Sequence, residues 1–260
     1  MNRAETIIRA MKRDIVTAAA QAGEGHIASA FSILDLLWVL YDRVLRIDST
    51  APDKEDRDRF ILSKGHASLG LYAVLCRKGF FPPEHLQGFA GLASPLGGHP
   101  HRTKVPGVEA STGSLGHGLP MAAGMALGMK IRRSNARVYA LIGDGEANEG
   151  AIWEAALLAA HHKLDNLCCL ADYNHSTDRA LNMGDLEAKF KAFGWQTCAV
   201  DGHNHDDIFR GLGSTAVGKP LAIIAHTIKG KGCARMENQP AWHHRAPNPD
   251  ELVEMLEELS

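Results

Sequence analysis

The stretch Val138-Tyr139-Ala140-Leu141-Ile142-Gly143-Asp144-Gly145-Glu146, followed further on by Leu170-Ala171-Asp172-Tyr173-Asn174, decides the reading of this chain. Val138–Ile142 is apolar, β-branched at both ends and closed by Gly143, the pattern of a short buried strand. Asn166-Leu167-Cys168-Cys169-Leu170-Ala171 reads the same way. Between them, Gly150 to Lys163 has helical composition, with Trp153, Ala155, Ala156, Leu157, Leu158, Ala159 and Ala160. Strand, helix and strand at this spacing predict a right-handed βαβ unit with parallel strands. Ligands of such sheets sit beyond the carboxyl ends of the strands, and Asp144 and Asn174 both fall there.

That placement suits a hard divalent cation held against a diphosphate. Mg²⁺ takes near-octahedral oxygens, one or two from protein and the rest from phosphate and water; Ca²⁺ or Mn²⁺ accepts similar donors. Asp144 supplies charge, Asn174 a neutral oxygen, and a backbone carbonyl near Ser176 completes the protein's share. Gly143 and Gly145, without side chains, let a phosphate approach the backbone. Gly-Asp-Gly in isolation also describes a plain turn with an Asp near a helix start; the spaced Asn174 and the rest of the chain favour the metal.

Working outward, helix patterns cover 4–21 and 32–45, with Ser32-Ile33-Leu34-Asp35 as a capping box for the second. Arg59–Leu62 is a strand, followed by the turn Ser63-Lys64-Gly65-His66 and a helix to Lys78. Residues 80–113, rich in Gly, Pro and His, form a long loop region. Gly116 to Ile131 is a small-residue helix. Thr197–Val200 and Leu221–Ala225 are further strands, with a helix near 206–214 between them. Pro249 opens a terminal helix at its first turn. The alternation predicts an α/β fold built on a doubly wound, mainly parallel sheet.

With 260 residues, one large domain spanning 1–260 is the natural count. A net charge of −2 gives no reason to expect nucleic acid or an anionic membrane as partner. Cys76, Cys168, Cys169, Cys198 and Cys233 lack metal-ligand spacing, and two lie in a predicted buried strand. They read as reduced thiols of a cytoplasmic protein. Met1–Ala20 is a charged amphipathic helix pattern, not a signal peptide, and no apolar run reaches membrane-spanning length.

Fourteen histidines is a high count, and it hints at proton chemistry. Gly25-His26, Gly65-His66, Gly98-His99 and Trp242-His243 all lie in turn-like sequence rather than on an apolar helix face. Thr112-Gly113-Ser114-Leu115-Gly116 precedes a helix whose free N–H groups suit an anion, or it is a flexible loop. His161 and His162 fall at a helix end, and His203 and His205 in a polar loop. His226, just past a strand, is open between structural and cofactor-side roles. Lys229-Gly230-Lys231-Gly232 lacks P-loop spacing and reads as a turn.

Gly143-Asp144-Gly145 with Asn174 looks like the thiamine diphosphate signature. The fuller run from Gly143 through Glu149-Gly150-Ala151-Ile152-Trp153-Glu154-Ala155 resembles transketolase, and the likeness extends from Gly25-His26 to Trp242-His243. It is similar to the N-terminal, diphosphate-binding half, with the thiamine diphosphate-binding fold. The resemblance implies thiamine diphosphate and Mg²⁺ as cofactors, with Asp144, Asn174 and Ser176 on the metal. His66, Gly113, Leu115, Gly143, Gly145, Glu149 and His226 would contact cofactor or the subunit interface beside it. His26, His99 and His243 would line the substrate channel as the catalytic histidines. It further implies transfer of a two-carbon ketol unit from a ketose or its phosphate to an aldose. The pyrimidine-binding domain that completes such a site is expected on a separate C-terminal subunit, in an α₂β₂ assembly, with this chain alone inactive.

Three departures bear on the substrate more than the cofactor. His117 stands where relatives usually carry Gln, His175-Ser176-Thr177-Asp178 is more polar than usual, and His244 replaces a Gly. Another thiamine-dependent carboligase is the runner-up, either deoxyxylulose-phosphate synthase-like or a sulfosugar or branched-sugar transketolase subunit. A non-catalytic assembly module that kept the cofactor fold is the third reading.

Overall fold

A computed structural model describes residues 3–260 of the chain; the first two residues of the predicted N-terminal helix lie outside it. Five strands form one sheet: β1 Arg59–Leu62, β2 Val138–Gly143, β3 Leu167–Tyr173, β4 Gln196–Asp201 and β5 Leu221–His226. Their spatial order is β1-β2-β3-β5-β4, and every pairing is parallel. Parallel strands need crossovers that cover both faces, and the helices do this in two groups.

Alternation along the strands sorts the core. Tyr139, Leu141, Cys168, Leu170 and Ile223 point into one cluster, with α1 Arg3–Ala22, α2 Ile27–Val39, α3 Ser68–Arg77 and the later helices His205–Leu212 and Pro249–Glu258. Val138, Ala140, Ile142, Cys169, Ala171, Ala222 and Ile224 point into the other. That second layer holds α5 Gly118–Ile131, α6 Gly150–His161 and α7 Leu186–Ala192. The short α4 Glu84–Gln87 lies within the predicted long loop. The path from β3 to β4 skips a position that β5 fills on the way back. Right-handed crossovers in opposite directions must lie on opposite faces, so α7 and α8 His205–Leu212 cover different sides. The sheet is doubly wound, as the alternation predicted.

Two local expectations are corrected. The second helix begins at Ile27, not Ser32, and it ends in a π-helical turn over Leu40–Val44. Ser32 and Asp35 therefore sit mid-helix and buried, with no capping box. Ser and Asp have the right chemistry for a cap, but here their polar atoms serve partners on other elements. A true capping box occurs where α9 Pro249–Glu258 starts: Asn248 and Glu251 cap each other, with Pro249 in the first turn as predicted. The helix α7 went unread in the sequence; Asp185 caps it by accepting from the Ala188 N–H. Among the described residues, no helix is long and apolar enough to cross a membrane.

Candidate functional site

Four segments leave the carboxyl edge of the sheet side by side. Lys64 follows β1, Asp144 follows β2, Asn174 follows β3 and Lys229 follows β5. They enclose a cavity of about 240 Å³, also lined by His66, Leu115, Gly143, Gly145, Glu146, Ser176, Thr177, Ala180 and His243. A second space of about 580 Å³ adjoins it, sharing Asn174, Ser176, Lys229 and His243.

The polar floor is a chain of buried hydrogen bonds around Asp172. Lys64 Nζ lies 2.6 Å from Asp172 Oδ2. Ser32 donates to Oδ1 at 2.7 Å, Thr227 also donates to Oδ1, and Asn174 Nδ2 donates to Oδ2 at 2.9 Å. Burial alone would raise the Asp172 pKa, but Lys64 and the hydroxyl donors outweigh it and hold the carboxyl below its ordinary value. Asp172 is therefore an anion and accepts only. The nitrogen side of the Asn174 amide must face it, and Oδ1 turns the other way.

There, the Ser176 N–H donates to both Asn174 Oδ1, at 3.0 Å, and Asp144 Oδ2, at 3.1 Å. A carboxylate oxygen and a carboxamide oxygen thus converge on one backbone N–H. Asp144 is 3% exposed, and its second oxygen takes the Gly145 N–H at 2.7 Å. Burial and the nearby Asp172 charge raise its pKa. A buried anion in that state has electrostatic room for a cation. The donor set of carboxylate, carboxamide and backbone oxygen fits a hard divalent ion.

Glu146 ties the second wall. Ser63 donates to its Oε1, as does the Gly116 N–H at 2.9 Å, while Gly143 N–H reaches Oε2 at 3.1 Å. Burial pushes this carboxyl up while those three donors and Lys64 oppose the rise. Ser63 in turn accepts from Gly118 N–H at 3.0 Å, fixing the start of α5. A Cβ on Gly118 would overlap Ser63, so that position has no room for a side chain.

Lysines and histidines close the cavity. Lys229 Nζ lies 2.9 Å from His243 Nδ1, and burial, then the Lys64 charge, lowers its pKa to about 8. His26 packs against His66, His243 and His244, with ring centroids 4.9, 5.3 and 4.3 Å apart. Burial, followed by the charges of His244 and His243, lowers the His26 pKa to about 3. Burial and the Lys64 charge take His66 to about 2, and burial with Lys229 lowers His243. His26, His66 and His243 are therefore neutral at physiological pH, able to accept as well as donate.

The structure thus brings His66, Leu115, Gly143, Asp144, Gly145, Asn174, Ser176 and His243 together around one cavity, with His26 packed against the His66 and His243 rings. His99 is exposed and lies against Gly113, where a Cβ would sit 3.1 Å from the imidazole. Glu149 is exposed and packs beside Gly116. His226 is the last residue of β5 rather than past it; exposed, it meets Tyr173 at 5.5 Å and stands outside the cavity lining. His203, in the turn after β4, and His205, which opens α8 rather than lying in a loop, both bond Asp35. Sequence reading missed Lys64, Lys229, Glu146 and the Asp172 network. Lys64 and Lys229 each follow a buried strand within a few residues, a signal masked by reading their segments as turns.

A parallel doubly wound sheet with lysines, histidines and buried carboxylates around a cavity at its carboxyl edge defines an α/β protein with its candidate site where such sheets carry their ligands. Residues 1–259 match the family described as transketolase, thiamine diphosphate binding domain, and the chain belongs to that family. It is 40% identical over 258 residues to an apulose-4-phosphate transketolase subunit from Actinobacillus succinogenes, covering 96% of this chain and 94% of that one. It is 40% identical over 229 residues to the 6-deoxy-6-sulfo-D-fructose transketolase subunit SqwG of a Clostridium species, covering 85% and 83%. Among solved structures, the transketolase from Leishmania mexicana superposes with a TM-score of 0.92 at 26% identity. It covers 100% of this chain, which spans 41% of that longer one.

Proposed function

We propose that this chain is the cofactor-binding subunit of a transketolase divided between two polypeptides, and that its cavity holds thiamine diphosphate through a divalent cation. The observation that carries this reading is the convergence of Asp144 and Asn174 oxygens on the Ser176 N–H, beside two lysines and two histidines. Asp144 and Asn174 hold Mg²⁺, with the Ser176 carbonyl as the third protein oxygen. Lys64, Lys229 and His66 face the diphosphate charge, and the Gly113–Leu115 segment approaches it with backbone N–H groups. When bound, thiamine diphosphate supplies the nucleophilic carbon that carries a two-carbon unit between sugars.

The chain's own residues then orient and move protons. His26 and His243, kept neutral by burial, bond sugar hydroxyls and exchange protons with the substrate oxygen. His99 reaches the same channel from the Gly113 side. Leu115 packs against the cofactor ring, and Glu149 faces the interface with the complementary subunit.

The rest of the enzyme comes from a separate chain carrying a pyrimidine-binding domain, in an α₂β₂ assembly. The names of the relatives, which describe subunits, support this. So does the outer face of α5 and α6, where Ile131, Leu157 and Leu158 are exposed and Gly124 and Gly128 leave open space. Such a face is built for close contact with another protein. The relatives' named substrates point to ketoses with a distal anionic group, phosphate or sulfonate. The test is ketol transfer from a panel of phosphorylated and sulfonated ketoses, by this chain with and without the companion subunit. Transfer only by the mixture is expected. Transfer by the chain alone would overturn the divided-enzyme reading. Calorimetry showing no uptake of thiamine diphosphate with Mg²⁺ by the mixture would overturn the cofactor assignment.

A further inference from the structure

Asp35 is a buried carboxylate in the middle of α2, 7% exposed. Its Oδ2 faces His203 Nδ1 at 3.0 Å and its Oδ1 faces His205 Nε2 at 2.7 Å. The other ring nitrogen of His203, Nε2, accepts the backbone N–H of Ile228 at 2.9 Å. A peptide N–H only donates, so Nε2 carries no proton and the neutral ring holds its hydrogen on Nδ1, toward Asp35. One carboxylate thus sets a tautomer, and that tautomer accepts a peptide N–H on another element.

The peptide it accepts is where the sheet stops. The β3–β5 ladder ends at His226, and the Thr227 N–H still reaches Tyr173 carbonyl at 3.3 Å. The next N–H, Ile228, has left the ladder, and His203 takes it. Gly202 docks the two segments: its N–H donates to His226 carbonyl at 2.8 Å, and a Cβ there would overlap Thr227. On either side of Ile228 stand Thr227, bonded to Asp172, and Lys229, whose amine meets His243 at the cavity.

We propose that His203, oriented by Asp35, is a positioning residue that holds Thr227–Lys229 in the place from which Lys229 faces the cofactor cavity. The inference rests on the cofactor reading above and adds a residue that touches neither cofactor nor substrate. Gln offers an acceptor near the place of imidazole Nε2, whereas Asn retains only a donor near Nδ1, toward Asp35. The chain is labelled with ¹⁵N and its Ile228 amide exchange rate is measured, and the affinity for thiamine diphosphate and Mg²⁺ is measured on its mixture with the companion subunit. In His203→Gln, both stay within about threefold of the wild type. In His203→Asn, Ile228 exchanges faster and affinity falls about tenfold, while the two variants melt at the same temperature. Equal losses in both variants, or an unchanged Ile228 amide in His203→Asn, would overturn the proposal. The amide readout needs no ligand. A wild-type mixture with the companion subunit that ignores the cofactor would therefore sink the cofactor reading, while the exchange rates still decide the clamp.

Discussion

Asn174 Nδ2 donates to Asp172 Oδ2 at 2.9 Å, and this bond decides which atom Asn174 shows to the cavity. Asp172 is itself ionised because Lys64 lies 2.6 Å away. The ion pair under the floor thus orients an amide oxygen above it, and the metal assignment depends on a charge two residues back in the strand.

Breaking that pair from one side strands the other charge. Asp172→Ala leaves the Lys64 amine, 3% exposed, without its anion, and a loss of about 3–5 kcal/mol is expected in urea unfolding. Adding Lys64→Met to Asp172→Ala should recover a large part of that loss. Equal stability of the single and double variants would show that the pair is not what holds the floor.

Asp144 should have opposite effects on stability and on binding. Burial and the Asp172 charge make its anion unfavourable without a cation, so Asp144→Asn is expected to raise the melting temperature of the cofactor-free protein. The same change should weaken Mg²⁺-dependent cofactor binding by about 100-fold. Calorimetry and thermal unfolding read the two signs separately, and undiminished affinity would refute the metal role.

Acid should destabilise the fold through the histidine cluster. His26 and His66 have folded-state pKa values near 3 and 2, depressed first by burial. In the unfolded chain they titrate at about 6.5. Between those limits the unfolded state binds protons that the folded state refuses, so stability falls as pH drops from about 6.5 toward 3. His66→Asn should flatten the melting temperature's dependence on pH over that range. An unaltered slope would mean the ring is protonated in the fold.

Gly118→Ala tests the second wall. The added methyl would overlap Ser63, which links Gly118 to Glu146. A loss of about 1–3 kcal/mol is expected, since the neighbours must shift to admit it. Gly124→Ala, where nothing lies within 4 Å of the new atom, serves as the control and should be neutral or stabilising in the isolated chain.

His99→Ala should spare cofactor affinity and lower turnover or raise the Michaelis constant of the assembled enzyme. The imidazole lies against Gly113 but outside the lining of the cavity that Asp144 and Asn174 border. A fall in cofactor affinity as large as that of Asp144→Asn would move His99 into the cofactor site.

The alternation of buried runs and helical stretches determined the α/β class, because a strand buried on both faces must be apolar throughout and its parallel partner needs a crossover. Asp144 and Asn174 were legible because each directly follows such a run. Lys64, Lys229 and Asp172 were not. A lysine after a turn and an aspartate inside an apolar strand have no local pattern that separates a solvated charge from a buried one. Ser32 and Asp35 misled for the same reason, since a cap and a core hydrogen bond use the same residue types. Only the packing of α2 and β5 against β3 brings Ser32 and Thr227 onto Asp172, and only the parallel register sets Lys64 beside it. Local periodicity is written in consecutive residues, whereas the sign and burial of a charge depend on neighbours far away in the chain.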